Sequence, residues 1–305
     1  MGATATGKTA LAVDLVQRFP FDIISVDSAQ IYRGMDIGTG KPDADTLRIA
    51  PHRLIDIRDP AQAYSASEFR EDAVREIDKV RESGRVPLLV GGTMLYFKLL
   101  RDGLASMPAA DAAVRSKIEA VADADGWHKV HEQLARVDPV SAARIHPNDP
   151  QRLQRALEVF LVSGRPLSSF HQQPVHQTDS GKSSLIFHFF ALQAPSREVL
   201  HHRIADRFRQ MLADGLVEEV DTLYRRGDLS LSLPSMRSVG YRQVWRYLSG
   251  EMRYDAMVER GIIATRQLAK RQLTWLRSWD SVQDLYGTLP QTSDEVLNFM
   301  RSISI

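Results

Sequence analysis

A parallel α/β core interrupted by an all-helical insertion is the fold class that this sequence predicts, and three observations predict it. A phosphate-loop pattern, G-x-x-x-x-G-K-[ST], is met at once in Gly2-Ala3-Thr4-Ala5-Thr6-Gly7-Lys8-Thr9. Short apolar runs that read as buried strands then alternate with helical periods, the order of a parallel sheet. From residue 106 to residue 184 the strand pattern fades and helical periods take over. The expected organisation is a P-loop NTPase-like core over 1–105 and 185–305, ending in basic helices, with the insertion at 106–184.

The loop comes first. Its glycines let backbone N–H groups curl around an anion, Lys8 adds a point charge, and the Thr9 hydroxyl is placed to hold Mg²⁺. Such a loop normally follows a buried strand, yet only Met1 precedes Gly2. The expectation is a first strand lost to a misplaced start or truncation, rather than one replaced by another segment. About ten more apolar-rich residues ahead of Met1 would then raise stability.

Lys8 to Phe19 carries Leu11, Val13, Leu15, Val16 and Phe19 on a helical period, stopped by Pro20. Asp22 to Val26 reads as a buried strand whose carboxyl end delivers Asp27-Ser28-Ala29-Gln30-Ile31-Tyr32. Ligands of open α/β sheets gather at such ends, so Asp27 is expected near the phosphate loop as a catalytic carboxylate; capping a local turn is its other reading. Gly34, Gly38 and Gly40 mark a connection of close backbone approach or mobility. His52 to Ile57 is expected to be a strand, and Ser65-Ala66-Ser67-Glu68 a capping box opening a helix that runs to about Ser83. Val86 to Val90 is a further buried strand, but it ends in Gly91-Gly92-Thr93, where a hydrolytic enzyme commonly places an acid for its Mg²⁺. Efficient NTP hydrolysis is disfavoured; pyrophosphate binding is not.

In the insertion, Asp111–Val121, His128–Val137, Pro139–Ile145 and Asp149–Ser163 read as helices. The last has Pro150 at its start and sets Gln151 and Arg155 on one face, suited to phosphates or base edges, or else a solvated face with Arg155 pairing Glu158. Phe170 to Ser184 is a polar loop whose His171 and His176 make a poor metal site. Leu185 to Leu192 returns to a strand, and Ser196–Ala213 and Leu216–Arg226 to helices. Arg237 and Arg242 flank Gly240, in reach of a bidentate grip on phosphate. Arg260, Arg266, Lys270, Arg271 and Arg277 make the next helix basic, with Leu268, Leu273, Trp275 and Leu276 for its buried side.

Composition excludes several classes. With 43% apolar residues in 305, the chain has ample material for a core. It contains no cysteine, so disulfides, a thiolate nucleophile and cysteine-based zinc sites are excluded and a reducing cytoplasm is compatible. No apolar run nears the roughly 20 residues of a membrane span, and no signal-peptide core opens the chain. A net charge of +1 is too small to attract nucleic acid as a whole-protein field, so any RNA role rests on local clusters.

Taken together, the phosphate loop, Asp27 to Tyr32, Met35-Asp36-Ile37-Gly38-Thr39, Gly91-Gly92-Thr93 with Leu95-Tyr96, His146 to Arg152 and Gly240-Tyr241-Arg242-Gln243 resemble the bacterial tRNA dimethylallyltransferases, from Gly2 to about Trp279. The chain departs from that pattern in its short start and in Ala3, where the family usually has proline. The resemblance implies transfer of a dimethylallyl group from its diphosphate to N6 of adenine 37 in tRNAs reading codons that begin with U, with Mg²⁺ as cofactor, by a cytoplasmic monomer. It implies diphosphate binding by residues 2–9 with Arg237 or Arg242, leaving-group stabilisation by Thr9 and Arg237, and proton acceptance by Asp27. The adenine, flipped into a pocket between core and insertion, would be read by Asp27, Ser28, Ala29 and Gln30; Thr93, Arg115, Gln151, Arg152, Leu153, Gln154 and Arg155 would touch the tRNA, the insertion gripping the anticodon stem. A transferase acting on free adenine nucleotides and a P-loop small-molecule kinase are the alternatives.

Overall fold

The computed structural model describes residues 1–103, 107–172 and 185–303. In chain order the first segment forms α1 (Lys8–Arg18), β1 (Phe21–Val26), α2 (Ala44–Ile49), β2 (His52–Arg53), α3 (Ala66–Glu82), β3 (Val86–Gly91) and α4 (Met94–Asp102). The insertion holds α5 (Ala112–Asp125), α6 (Trp127–Val137), α7 (Pro139–Arg144), α8 (Pro150–Ser163) and α9 (Leu167–Gln172). The return is β4 (Phe189–Leu192), α10 (Arg197–Ala213), α11 (Leu216–Tyr224), α12 (Tyr241–Leu248), α13 (Tyr254–Leu276), β5 (Val282–Leu285) and α14 (Leu289–Ser302).

All strand pairings among the described residues are parallel, as βα alternation requires. β1 sits between β2 and β3, with Phe21 opposite Val86 and Val26 opposite Gly91. Four successive buried residues, Ile23 to Val26, mark β1 as covered on both faces. β4 and β5 form a second pair, and Met1–Gly2 runs along the edge of β4: the Met1 amino group donates to Phe190 O at 2.7 Å and Leu192 N to Met1 O at 2.9 Å.

The Ser65–Glu68 capping box forms as expected and starts α3, which buries Phe69, Ala73, Ile77 and Val80 at helical spacing. The strand expected over His52–Ile57 stops after Arg53, because Leu54 and Asp56 take left-handed backbone conformations (φ 63° and 57°) that no strand tolerates. On α13 the buried residues are Met257, Gly261, Ile262, Ala269 and Leu276, with Leu273 packed against the core. Trp275 was expected on that side and is instead 36% exposed. β5 and α14 follow the last segment that the sequence patterns describe, and α14 packs Val296, Leu297 and Met300 onto Leu11 and Leu15 of α1.

The chain divides into two units, Met1–Arg101 with Leu185–Ile305, and Asp102–Ser184. The second is a helical cluster around Ile118, Val130, Leu134, Leu153, Ala156 and Leu157. Much of the polar loop between Phe170 and Ser184, with His176, lies outside the described residues.

Candidate active site

The phosphate loop closes on itself through its own hydrogen bonds. Gly7 caps α1 in the left-handed region (φ 96°, ψ 19°) and Ala5 joins it at φ 63°, an alternation that turns successive N–H groups inward. Ala3 O accepts from Thr6 Oγ1 at 2.9 Å and from Lys8 Nζ at 2.7 Å, so the lysine lies folded over its own loop. Gln272 of α13 straps the loop to the neighbouring strand end: its Oε1 accepts from Thr4 N and its Nε2 donates to Gly92 O, both at 2.8 Å.

β1 leads into Asp27 and β3 ends on Gly91, in register at their carboxyl ends. A Cβ on Gly91 would stand 2.0 Å from Val26 O, and one on Gly92 2.5 Å from Gln272 Nε2. At Gly91, where a nucleotide hydrolase places its acid, a side chain would run into the backbone of Val26. Thr93 spans them, its Oγ1 accepting from Ser28 N at 3.1 Å.

Asp27 plays both parts that the sequence leaves open. Its Oδ1 accepts from Ala29 N at 2.9 Å and Gln30 N at 3.4 Å, which closes a local turn. Among the described residues Oδ2 has no hydrogen-bond partner, and Asp27 lines a cavity of about 600 Å³. Desolvation raises its pKa above the ordinary carboxylate value, although Lys8 and Arg207 pull the other way. Lys8 itself is pushed down to about 8, chiefly by desolvation, against the opposing field of Asp27.

The same cavity is lined by Thr4, Ala5, Gly7, Lys8 and Thr9, by Ser28, Ala29, Gln30 and Thr93, and by Arg207, Arg237, Arg271 and Gln272. All its described lining residues belong to the first unit. Gly2, Ala3 and Thr6 do not line it. They are buried behind the loop and shape it, a Cβ on Gly2 being 2.8 Å from Leu192 O. Between the two candidate arginines the structure favours Arg237, which lines the cavity; Arg242 is exposed on the first turn of α12 and does not. Gly240, Tyr241 and Gln243 of that motif are structural: Gln243 caps α12 through Gly240 N at 2.9 Å, and Tyr241 is fully buried.

Arg207 and Gln272 went unread in the sequence. Arg207 is one of several arginines along α10, and nothing in its spacing sets it apart; its lowered pKa, due first to desolvation and opposed by Asp27, marks the one that faces the cavity. Lys8, Arg207, Arg237 and Arg271 set four cationic groups against Asp27, the single carboxylate among the described lining residues. That is an environment for a polyanion. Among the described residues no group of three or more His, Asp or Glu could hold a metal. A hard cation fits here only as one carried largely by phosphate oxygens, with the Thr9 hydroxyl as protein donor, which is the habit of Mg²⁺.

In the second unit, Leu153 is fully buried in the helical core. Glu158, also fully buried, is held by Arg115 (2.8 and 3.1 Å), Arg155 (2.7 Å) and Asp111 N (2.8 Å). The pairing of Arg155 with Glu158 is therefore real, and Arg115 shares the same carboxylate. Gln154 donates to Glu119 at 2.8 Å, while Gln151 and Arg152 are exposed.

A family model described as IPP transferase matches residues 30–279. The chain belongs to the IPP transferase family. A tRNA isopentenylpyrophosphate transferase of Bacillus halodurans is similar at 34% identity, over 99% of this chain and 94% of its own, with a TM-score of 0.70. The Staphylococcus epidermidis enzyme of the same description shares 33% identity over 99% and 98%, with a TM-score of 0.69. A eukaryotic dimethylallyltransferase, solved acting on tRNA, has a TM-score of 0.78 at 24% identity over 100% of this chain and 79% of its own, a likeness of fold. The resemblance read from the sequence is borne out, and as an IPP transferase the chain is a prenyltransferase and no P-loop kinase. The phosphate loop and Asp27 precede the span of the family match, but the bacterial enzymes cover 99% of the chain.

Proposed function

We propose that this chain transfers a dimethylallyl group from dimethylallyl diphosphate to N6 of adenine 37 in tRNAs that read codons beginning with U, releasing diphosphate. The observation that carries the reading is the shared cavity: a carboxylate at its wall and an anion loop with Lys8 in one space of about 600 Å³. Two bacterial relatives at 34% and 33% identity are tRNA transferases, which supports tRNA as acceptor.

An exocyclic adenine amine is a weak nucleophile, since its lone pair is delocalised into the ring. The allylic carbon–oxygen bond must therefore be made easy to break. Loop N–H groups, Lys8, Arg207 and Arg237 neutralise charge as it develops on the departing diphosphate; losing one such donor costs about 10²–10³ in rate. Thr9 would hold Mg²⁺, which would supply further neutralisation of charge on the leaving group. As N6 bonds to the allylic carbon, its proton passes to Asp27 Oδ2, a transfer worth roughly 10²–10⁴ in rate. Desolvation makes that carboxylate a stronger base than an exposed one.

The acceptor adenine must leave the anticodon stack to reach the cavity, where Ser28, Ala29, Gln30 and Thr93 read it. The Arg115–Arg155 cluster, with Gln151, Arg152 and Gln154, grips the anticodon stem through its backbone, so binding weakens steeply with salt. The setting we propose is the cytoplasm, where the tRNA is, and the working form a monomer. No helix among the described residues is long and apolar enough to cross a membrane. Incubation with labelled dimethylallyl diphosphate and either unmodified tRNA or AMP tests the proposal. Label is expected in tRNA at adenine 37 and not in AMP; label in AMP alone would establish the free-nucleotide alternative.

A further inference from the structure

One carboxylate outside the cavity carries more donors than packing requires. Glu219 of α11 accepts from three consecutive backbone amides of the glycine-rich connection: Asp36 N (2.9 Å) and Ile37 N (2.7 Å) on Oε2, and Gly38 N (3.2 Å) on Oε1. The Tyr241 phenol also donates to Oε1. Three N–H groups converging on an anion form a nest, here filled by the protein's own side chain. Tyr241 is fully buried, and its phenol is held protonated first by burial and then by the Glu219 charge.

The segment so fastened is a wall of the cavity, to which Gly38, Thr39 and Gly40 contribute. It reaches the reacting groups by two short routes. Gly40 O accepts from Gln30 Nε2 at 3.2 Å, and Gln30 N in turn bonds Asp27 Oδ1. Gly40 also lies so close on Arg207 that a Cβ there would stand 1.7 Å from a guanidinium nitrogen. Gly38 fits just as tightly on the Tyr241 ring, where a Cβ would stand at 2.5 Å. Gly34 and Gly40 both have left-handed φ (70° and 60°), and the segment is closed locally by Gly40 N to Ile37 O (2.9 Å) and Lys41 N to Asp36 O (3.0 Å). Glu219 of α11 and Tyr241 of α12 fasten its amides to the rest of the fold.

We infer that Glu219, with Tyr241, is a positioning residue for the transfer: by holding residues 36–40 in place it sets Gln30 beside Asp27. The inference rests on the function proposed above. It does not extend to the phosphate loop, which is shaped by Ala3, Thr6 and Gln272 without help from Glu219.

Glu219→Gln and Tyr241→Phe test it. An amide at position 219 would turn a donor of its own toward backbone N–H donors, so kcat of the E219Q enzyme on unmodified tRNA should fall about 10²-fold, the cost of misplacing reacting groups by about an ångström. The Kd for inorganic diphosphate should stay within about twofold. Y241F should lower kcat less, and the double variant should be no slower than E219Q alone, since both changes release one fastening. A folded E219Q enzyme with wild-type kcat overturns the inference. So does a parallel loss of diphosphate affinity, which would mean general loosening. If E219Q does not fold, Y241F decides by the same split between kcat and diphosphate Kd. Wild-type protein that transfers nothing to tRNA would defeat the proposed function instead.

Discussion

Asp27→Asn separates the two duties of one carboxylate. Oδ1 closes the turn onto Ala29 N and Gln30 N, and an asparagine oxygen can keep both bonds; only the proton-accepting capacity of Oδ2 is lost. Turnover on tRNA should fall by about 10²–10⁴. The effect on stability has the opposite sign. Because burial raises the Asp27 pKa, protonation contributes stability that is present below the ordinary carboxylate pKa of 3.8 and is lost as pH rises through the higher folded value. At pH 7 the buried charge is a net cost, so D27N should melt above wild type at pH 7, and that advantage should vanish under acid. Asp27→Ala also lowers turnover but breaks both turn bonds, about 0.5–1.5 kcal/mol each, and should melt below D27N. Single-turnover transfer of labelled donor, with thermal melts at two pH values, reads both effects. D27N turning over within tenfold of wild type would remove Asp27 as the base, and D27N melting lower at pH 7 would refute the electrostatic account of the cavity.

Lys8 titrates near 8 in the free protein, so calorimetric diphosphate affinity should weaken as pH rises through about 8, while the stability of the free protein rises between about 8 and 10.5 as the unfolded chain alone stays protonated. Arg207→Ala should cut turnover by about 10²–10³ and Arg242→Ala by less than about twofold, since only the first lines the cavity; equal effects would overturn that assignment. Gly91→Ala drives a methyl to within 2.0 Å of Val26 O and should cost about 1–3 kcal/mol or more in chemical denaturation, because the obstacle is backbone and cannot rotate away.

The sequence was most readable where the chemistry is local. The phosphate loop is contiguous, Asp27 follows directly on β1, and the Ser65–Glu68 box announces α3 within four residues. What it concealed is contributed across distance. Gln272 meets Thr4 from 268 residues away, and Glu219 meets Ile37 from 182; neither has a neighbour in sequence that hints at its partner. Arg207 shares α10 with other arginines and is singled out only when the fold brings it to the cavity that Asp27 also lines. The burial of Leu153 was hidden for a simpler reason: it stands inside a polar run, and neighbours about 100° apart around α8 take different environments. Trp275 erred in the other direction, an apolar residue on the open side of α13.

The packing of α14 over α1 has a bearing on how the enzyme comes into being. Leu11 and Leu15, on the helix that follows the anion loop, find their cover in Val296, Leu297 and Met300. Arg18 and Asp294 pair across the same seam from 276 residues apart. A nascent chain on the ribosome therefore holds an unfinished catalytic floor until that late helix emerges, and a contact spanning so much of the chain is slow to form. Competence for chemistry waits on α14, however early the loop itself is made.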